Sequence, residues 1–348
     1  MFRLDPITRR QLQRFRSLKR GYCSFLVLCG LLLMSTFAEL LVGSRALIVK
    51  YHGSYYFPTY TAFHPGTDFG EDYSYETNYR KLKERFATDA QGDWMLLPPV
   101  PYNPYENSFE EGVYPPTPPS FFQRHFLGTD TTGRDVLARL LYGFRIAMLF
   151  SLLFLVLVYV VGIAIGCAMG YFGGAFDLLM QRAIEIWSNI PFLYIVIIIA
   201  SIVTPNFLLL LGIVVLFSWT DMTYYMRTAA YREKARDYVA AARVLGAGSG
   251  RIIFRHILPN VLSLTVTFMP FTVSGAITLL TALDFLGFGL PPPTPSWGEL
   301  LEQGTSNLNA PWIVSSAFFA LVIILSLVTF IGEAIREAFD PKKFTIYQ

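Results

Sequence analysis

Charge is scarce in this chain. Only 15% of its 348 residues are charged, while 53% are hydrophobic. A water-soluble domain carries nearer a quarter charged residues, so the deficit argues against one and points to a bilayer as solvent. Cysteine is scarcer still: Cys23, Cys29 and Cys167 all fall in apolar runs, so no disulfide framework is implied and they are read as small buried hydrophobes. The four histidines, His52, His64, His125 and His256, form no pair at metal-ligand spacing, and no nucleophile with a nearby base lies in an apolar run. No metal site and no catalytic residues are therefore expected. GxxxxGK[ST] is absent, so the chain does not cradle ATP with a P-loop of its own, and any ATP energy must come from another polypeptide. Ionisable residues are missing from the centres of the second, third, fourth and sixth apolar runs, with Glu39, Asp221 and Asp284 at run ends. Ion-coupled carriers usually place such groups at mid-membrane, so an ion-coupled secondary transporter is the weaker alternative.

What is present is length of apolar chain. After a basic segment at 1–22 (Arg3, Arg9, Arg10, Arg14, Arg16, Lys19 and Arg20 against Asp5), an apolar run covers 23–42. It is longer than a signal-peptide core and no small-x-small site follows it, so it reads as a retained first span. Further runs lie at Ile146–Met169, Ile186–Val203, Phe207–Thr220, Val261–Leu283 and Ile313–Ile331. The fourth needs Trp219–Tyr225 to complete its length, and Thr204-Pro205-Asn206 makes a tight turn before it. The fold class is thus all-α, a polytopic membrane protein with six transmembrane helices. Lys and Arg gather at 1–22, at 227–260 (Arg227, Arg232, Lys234, Arg236, Arg243, Arg251, Arg255) and at Lys342 and Lys343, whereas 289–312 has none. Positive charge stays inside, which puts both termini and loop 227–260 in the cytoplasm.

Residues 43–124 form a polar insert between the first two spans, placed outside by this topology and rich in Tyr and Pro, including Pro98, Pro99, Pro101, Pro104, Pro115 and Pro116. The prolines favour extended polyproline-like chain, with one short helix at Arg80–Phe86, and ordering is expected from contact with another surface. Residues 125–334 are read as the membrane core and 335–348 as a cytoplasmic tail.

Four stretches carry specific signals. In the first, Gly128-Thr129-Asp130 and Gly133-Arg134-Asp135 precede the second span. Gly128 and Gly133 suit turns, and Asp130 and Asp135 suit a helix start; read without further context, this is an amphipathic helix at the membrane surface before the span. In the second, Asp237–Ala247 is a short helix ending at a left-handed Gly246; a further helix from Arg251 to Leu258 stops at Pro259. Ala240, Ala241 and Ala242 allow another backbone to approach closely, with Tyr238, Val244 and Leu245 as apolar anchors for helix-in-groove docking. The third runs from Phe285-Leu286-Gly287 and Gly289 through Pro295-Ser296-Trp297-Gly298, an irregular return loop in which Trp297 fits an interfacial anchor. The fourth comprises Ala310-Pro311-Trp312 and Gly332–Pro341.

Together these resemble the permeases of the dipeptide, oligopeptide and nickel branch of ABC transporters: HPLGTD…GRDVLSR for the first stretch, the EAA loop for the second, SFLGLG…PPTPSWG for the third and GDxLRDxLDP for the fourth. Ala240 stands where many members carry the EAA glutamate, and Glu333 replaces the usual Asp. The large insert narrows the resemblance to permeases of microcin C-type peptide importers. The resemblance implies a type I importer core without a bound cofactor, working with a second permease, ATP-hydrolysing cytoplasmic subunits, a periplasmic peptide-binding protein and a peptide substrate. It assigns ATPase coupling to Val239, Ala240, Ala241, Ala242, Leu245, Gly246, Ala247, Leu258 and Pro259.

Overall fold

The computed structural model describes residues 6–89, 92–109 and 112–339. Helix α1 (Pro6–Ser17) bends by 94° into α2 (Lys19–Thr36), and a single turn, α3 (Ala38–Leu41), follows. The helical part of the first run thus starts earlier and ends earlier than 23–42, leaving Glu39 beyond it. After the segment described below come α5 (Val136–Phe172), α6 (Gly174–Ser188), α7 (Phe192–Ile202), α8 (Phe207–Lys234), α9 (Asp237–Val244) and α10 (Ser249–Arg251). A π-helical turn at Ile252–Ile257 leads into α11 (Leu258–Phe285); α12 (Trp297–Ser306) and α13 (Pro311–Phe339) complete the chain. Among the described residues, four helices are long and apolar enough to cross a membrane: α5, α8, the 265–285 part of α11, and α13. The pairs α1/α2 and α6/α7 qualify only if each bent pair counts as one span.

Several expectations are corrected here. The second span does not follow a separate surface helix: 136–145 are the first turns of α5, because the Asp135 side chain accepts from the Ala138 N–H and starts the helix there. The third is not one helix over Ile186–Val203. Pro191 supplies no N–H, so the run breaks between Ser188 and Phe192, with its halves 63° apart. Pro259 does not stop a helix; it sits in the first turn of α11, and the wider π-helical turn before it absorbs the ring. Residues 227–234 belong to α8, so the loop begins only after Lys234. Cys23 is exposed rather than buried, whereas Cys167 is buried and Cys29 lies between.

The chain is also not all-α. Between α3 and α5 lie β1 (Ile48–Tyr51), β2 (Ser54–Tyr56), a 3₁₀ turn (Gly66–Phe69), α4 (Tyr79–Asp89) and β3 (Trp94–Leu96). The strands form an antiparallel sheet in the order β2-β1-β3, and His52 and Gly53, both at positive φ, make the hairpin turn. Val49, Phe69, Tyr79, Leu82 and Met95 bury against one another, so the segment has a small core of its own. Burial pushes the Tyr79 phenol up to about 12. The segment's ends are stitched together: Gly43 donates to the Val100 carbonyl and Val100 donates to that of Leu41, each at 3.0 Å.

α5 and α8 run parallel in close contact. The cause is a glycine face: a Cβ on Gly162 would lie 2.7 Å from Met222 Cβ, and one on Gly166 or Gly170 would lie 2.5 Å from the carbonyl oxygen of Thr223 or Arg227. Only the missing side chains permit this approach. One large core joins α5, α8, α9 and α11, and a second joins α5, α11, α12 and α13.

Candidate functional site

Two constructions stand at opposite ends of α5. At its C-terminal end is α9. Hydrogen bonds from Gly246 to the Arg243 carbonyl and from Ala247 to that of Ala242, both 3.0 Å, with Gly246 at φ +80°, form a Schellman cap. Val239 and Ala242 turn inward, at 0% and 8% exposure. Ala240, Ala241, Arg243 and Gly246 face out. Val244 and Leu245 are 88% and 86% exposed, two aliphatic side chains held in the open at a helix tip. Of the residues singled out for coupling, Val239 and Ala242 therefore anchor the helix; Ala247 and Leu258 are half-buried, and Pro259 is exposed.

The anchoring is specific. The Tyr238 hydroxyl donates to Glu233 at 2.7 Å and accepts from Asn260 at 3.2 Å, tying α8, α9 and α11 together. Burial first, then Glu233, pushes this phenol up to about 12. Arg243 and Lys234 lie over the Tyr171 ring at 6.0 and 5.8 Å, so α9 rests on the last turn of α5. Beside it, Arg227 reaches Asp177 of α6 through two bonds of 2.5 and 2.6 Å.

At the N-terminal end of α5, the first and third motifs meet. Arg134 donates to Asp130 and to Glu299, each at 2.7 Å. Arg139, fully buried, also bonds Glu299 and reaches the carbonyls of Pro104 (3.1 Å), Pro293 and Thr294 (both 3.2 Å). Burial pulls the Arg134 guanidinium down, but Asp130 and Glu299 outweigh it and hold the group above its ordinary value. His125 bonds Asp135 at 2.8 Å, and Trp312 donates to the Thr129 carbonyl at 3.0 Å. Gly128 and Gly133 take φ of +74° and +84° for the turns between them. Ser296 bonds Asp284 and caps α12 at Gly298, whose absent side chain lets the α12 backbone close on Thr281 and Asp284. Gly289 closes equally tightly on Asp284, and Gly287 turns at φ +77°. Phe285, Leu286 and Pro295 complete this turn: Phe285 and Leu286 are exposed, whereas Pro295 is buried. Trp297 is no interfacial anchor: it is 4% exposed and donates to the Leu140 carbonyl at 2.9 Å. The expected irregular loop holds α12.

These bonds fasten the loop before α12 to the start of α5, and Nε alone of the Arg139 guanidinium nitrogens has no hydrogen-bond partner among the described residues. Among the described residues, no three His, Cys, Asp or Glu side chains gather as metal ligands. Sequence reasoning missed the Arg139–Glu299 pairing, whose partners are separated by 160 positions, and the Asp177–Arg227 pair. Asp221 lies at the middle of the 28-residue α8, ahead of Arg227 and the basic last turn at Arg232 and Lys234.

A helical bundle with four helices of membrane-crossing length among the described residues defines a multi-pass membrane protein. The chain belongs to the binding-protein-dependent transport system inner membrane component family, whose profile matches residues 162–345. It is 44% identical to the inner membrane ABC transporter permease protein YejE of Escherichia coli (strain K12) over 99% of both chains. Identity to the peptidoglycan transport system permease protein YejE of Agrobacterium fabrum is 42%, over 97% of this chain and 94% of that one. The oligopeptide transport system permease protein OppC of Escherichia coli (strain K12) is 38% identical over 64% of this chain and 74% of its own. An inward-facing form of the MetNI methionine ABC transporter aligns with a TM-score of 0.48 at 16% identity, covering 59% of this chain and 97% of that one.

Proposed function

We propose that this chain is the permease subunit of an ATP-driven peptide importer of the microcin C type. It forms the translocation path with a second permease and binds no cofactor. Cytoplasmic partner subunits hydrolyse ATP, and a periplasmic binding protein delivers the peptide. The observation that carries this reading is the match to two YejE permeases along nearly the whole chain, so residues 43–124 fall within the aligned region. Each bent helix pair counts as one span, giving six; both termini and α9 face the cytoplasm, and the β1–β3 segment lies outside. The exposed Val244 and Leu245 on an internally anchored α9 fit a groove in an ATPase subunit. The ion-coupled carrier finds no support in the family to which the chain belongs.

The test is copurification of the tagged chain from the membrane, identification of its partners, and peptide uptake in vesicles. ATP is expected to drive accumulation of peptide. Accumulation driven by an imposed proton or sodium gradient without ATP would overturn the reading.

A further inference from the structure

The cleft between α8 and α11, floored by α5, is a cavity of about 350 Å³ with an unusual lining for a membrane interior. α8 contributes Ser218, Asp221 and Tyr225 at helical spacing three and four; α11 contributes Phe268 and Thr272. On the floor, the Tyr159 hydroxyl lies 3.1 Å from that of Thr272. Asp221 is the only Asp, Glu, Lys, Arg or His between Phe207 and Met226 of α8. It is exposed, and it meets no hydrogen-bond or ion-pair partner among the described residues. One turn nearer the α9 end, the rings of Tyr225 and Phe268 stack across the cleft with centroids 4.6 Å apart. The cleft is thus closed by an aromatic pair on one side and carries an unneutralised carboxylate immediately behind it.

A carboxylate at the middle of a membrane-length helix is strongly disfavoured against lipid and stands in water, against a counter-charge, or both. The Thr223 and Met226 side of α8 is sealed by the glycine face of α5, whereas Asp221 lines the open cleft, where that environment is available. Resting on the peptide-importer reading above, we infer that this cleft belongs to the path of the transported peptide and that Asp221 receives its ammonium groups, either the N-terminus or a lysine side chain. Seryl, threonyl and tyrosyl hydroxyls around it offer neutral hydrogen bonds to any peptide backbone, whereas the single anionic group distinguishes cationic cargo from anionic cargo. The Tyr225–Phe268 pair bars the way until α8 and α11 separate.

The experiment is uptake by the full importer in membrane vesicles, comparing each variant with the unsubstituted chain on the same peptide so that the binding protein's own preference cancels. The probes are three short peptides of one length: lysine-containing with a free N-terminus, lysine-containing but N-acetylated, and neutral N-acetylated. Asp221→Asn is expected to lower uptake of the lysine-containing peptides about tenfold, the scale of one partly screened ion pair. Uptake of the neutral peptide should change less than twofold, and Asp221→Glu should restore selectivity. The two lysine peptides separate the side-chain ammonium from the N-terminal one. Unchanged uptake of all three peptides by Asp221→Asn overturns the inference while leaving the importer reading intact. Equal loss on all three, with loss of the second permease on copurification, would show that Asp221 pairs with that subunit instead. Failure of the unsubstituted complex to take up any peptide with ATP would instead sink the importer reading itself.

Discussion

Arg139 shows how a membrane-embedded fold handles charge. Its guanidinium is fully buried, and desolvation is tolerated because Glu299 and three backbone carbonyls surround it. Removing Glu299 leaves the Arg139 guanidinium buried and uncompensated, which typically costs about 3–5 kcal/mol. Glu299→Leu is therefore expected to lower the unfolding midpoint of the detergent-solubilised chain sharply, and more than Arg139→Met, which leaves Glu299 paired with Arg134. The double variant Arg139→Met with Glu299→Leu should regain a good part of the loss, and thermal unfolding of the three chains checks both statements. Glu39 is a gentler case. Its hydrogen bond to Arg145 holds its carboxyl below the ordinary glutamate value of 4.5. A group with a depressed folded value stabilises above its unfolded value and loses that contribution as pH falls through the folded one. Stability is thus expected to decline below about pH 4.5, and Glu39→Gln should flatten that acid limb in a pH series of unfolding midpoints. At this scale the sequence was partly legible. Gly128, Gly133 and Asp135 announced turns and a cap from their types alone, but the charge pairings were not legible. Nothing local marks Arg134 as the partner of Glu299, which lies 165 positions away.

Helix α9 is held through Val239 and Ala242 on one face and leaves Ala240, Ala241, Val244 and Leu245 exposed on the other. Exposed substitutions away from structural features usually shift stability by no more than about 0.5 kcal/mol. Leu245→Asp and Ala241→Arg are accordingly expected to leave the amount of chain in the membrane unchanged while reducing ATPase-subunit copurification and uptake. Val239→Asp, by contrast, buries a charge and should reduce the membrane level itself. Equal yields of ATPase subunit from Leu245→Asp and from the unsubstituted chain would remove α9 from the coupling role. Membrane helices were the most legible elements, since twenty or so apolar residues are a bulk property that survives small errors of boundary. Boundaries failed where a single residue overrode the run: Pro191 broke one helix, and the π-helical turn before Pro259 rescued another. The sheet was missed because its strands are only three or four residues long and sit among prolines and tyrosines that suggested extended coil. The one usable signal was the His52-Gly53 pair between two short β-branched and aromatic runs.

For the molecule as a whole, the stitch between 41–43 and 100 makes residues 44–99 a cassette with adjacent ends. Excising it and joining the ends with a short Gly/Ser linker keeps Pro104 in place for Arg139, which a longer deletion through Pro119 would not. The excised chain is expected to insert and to assemble with ATPase subunits at normal levels while losing uptake. Unimpaired uptake would show the segment to be dispensable for transport. Reporters in the 235–260 loop and after Lys343 should read cytoplasmic, and one in the cassette should read outside; an inside signal from the cassette would remove the six-span topology.

One feature of α5 bears on measurement. At about 1.5 Å per residue its 37 residues extend roughly 55 Å, well beyond the hydrocarbon layer, and it is clamped at one end by Arg139 and at the other by the cations over Tyr171. A helix clamped at both ends and locked along its glycine face to α8 is an internal yardstick. Two probes attached along α5 should keep one separation through the whole ATP cycle, so any change in distance from α5 to a probe on α11 can be assigned to α11 alone.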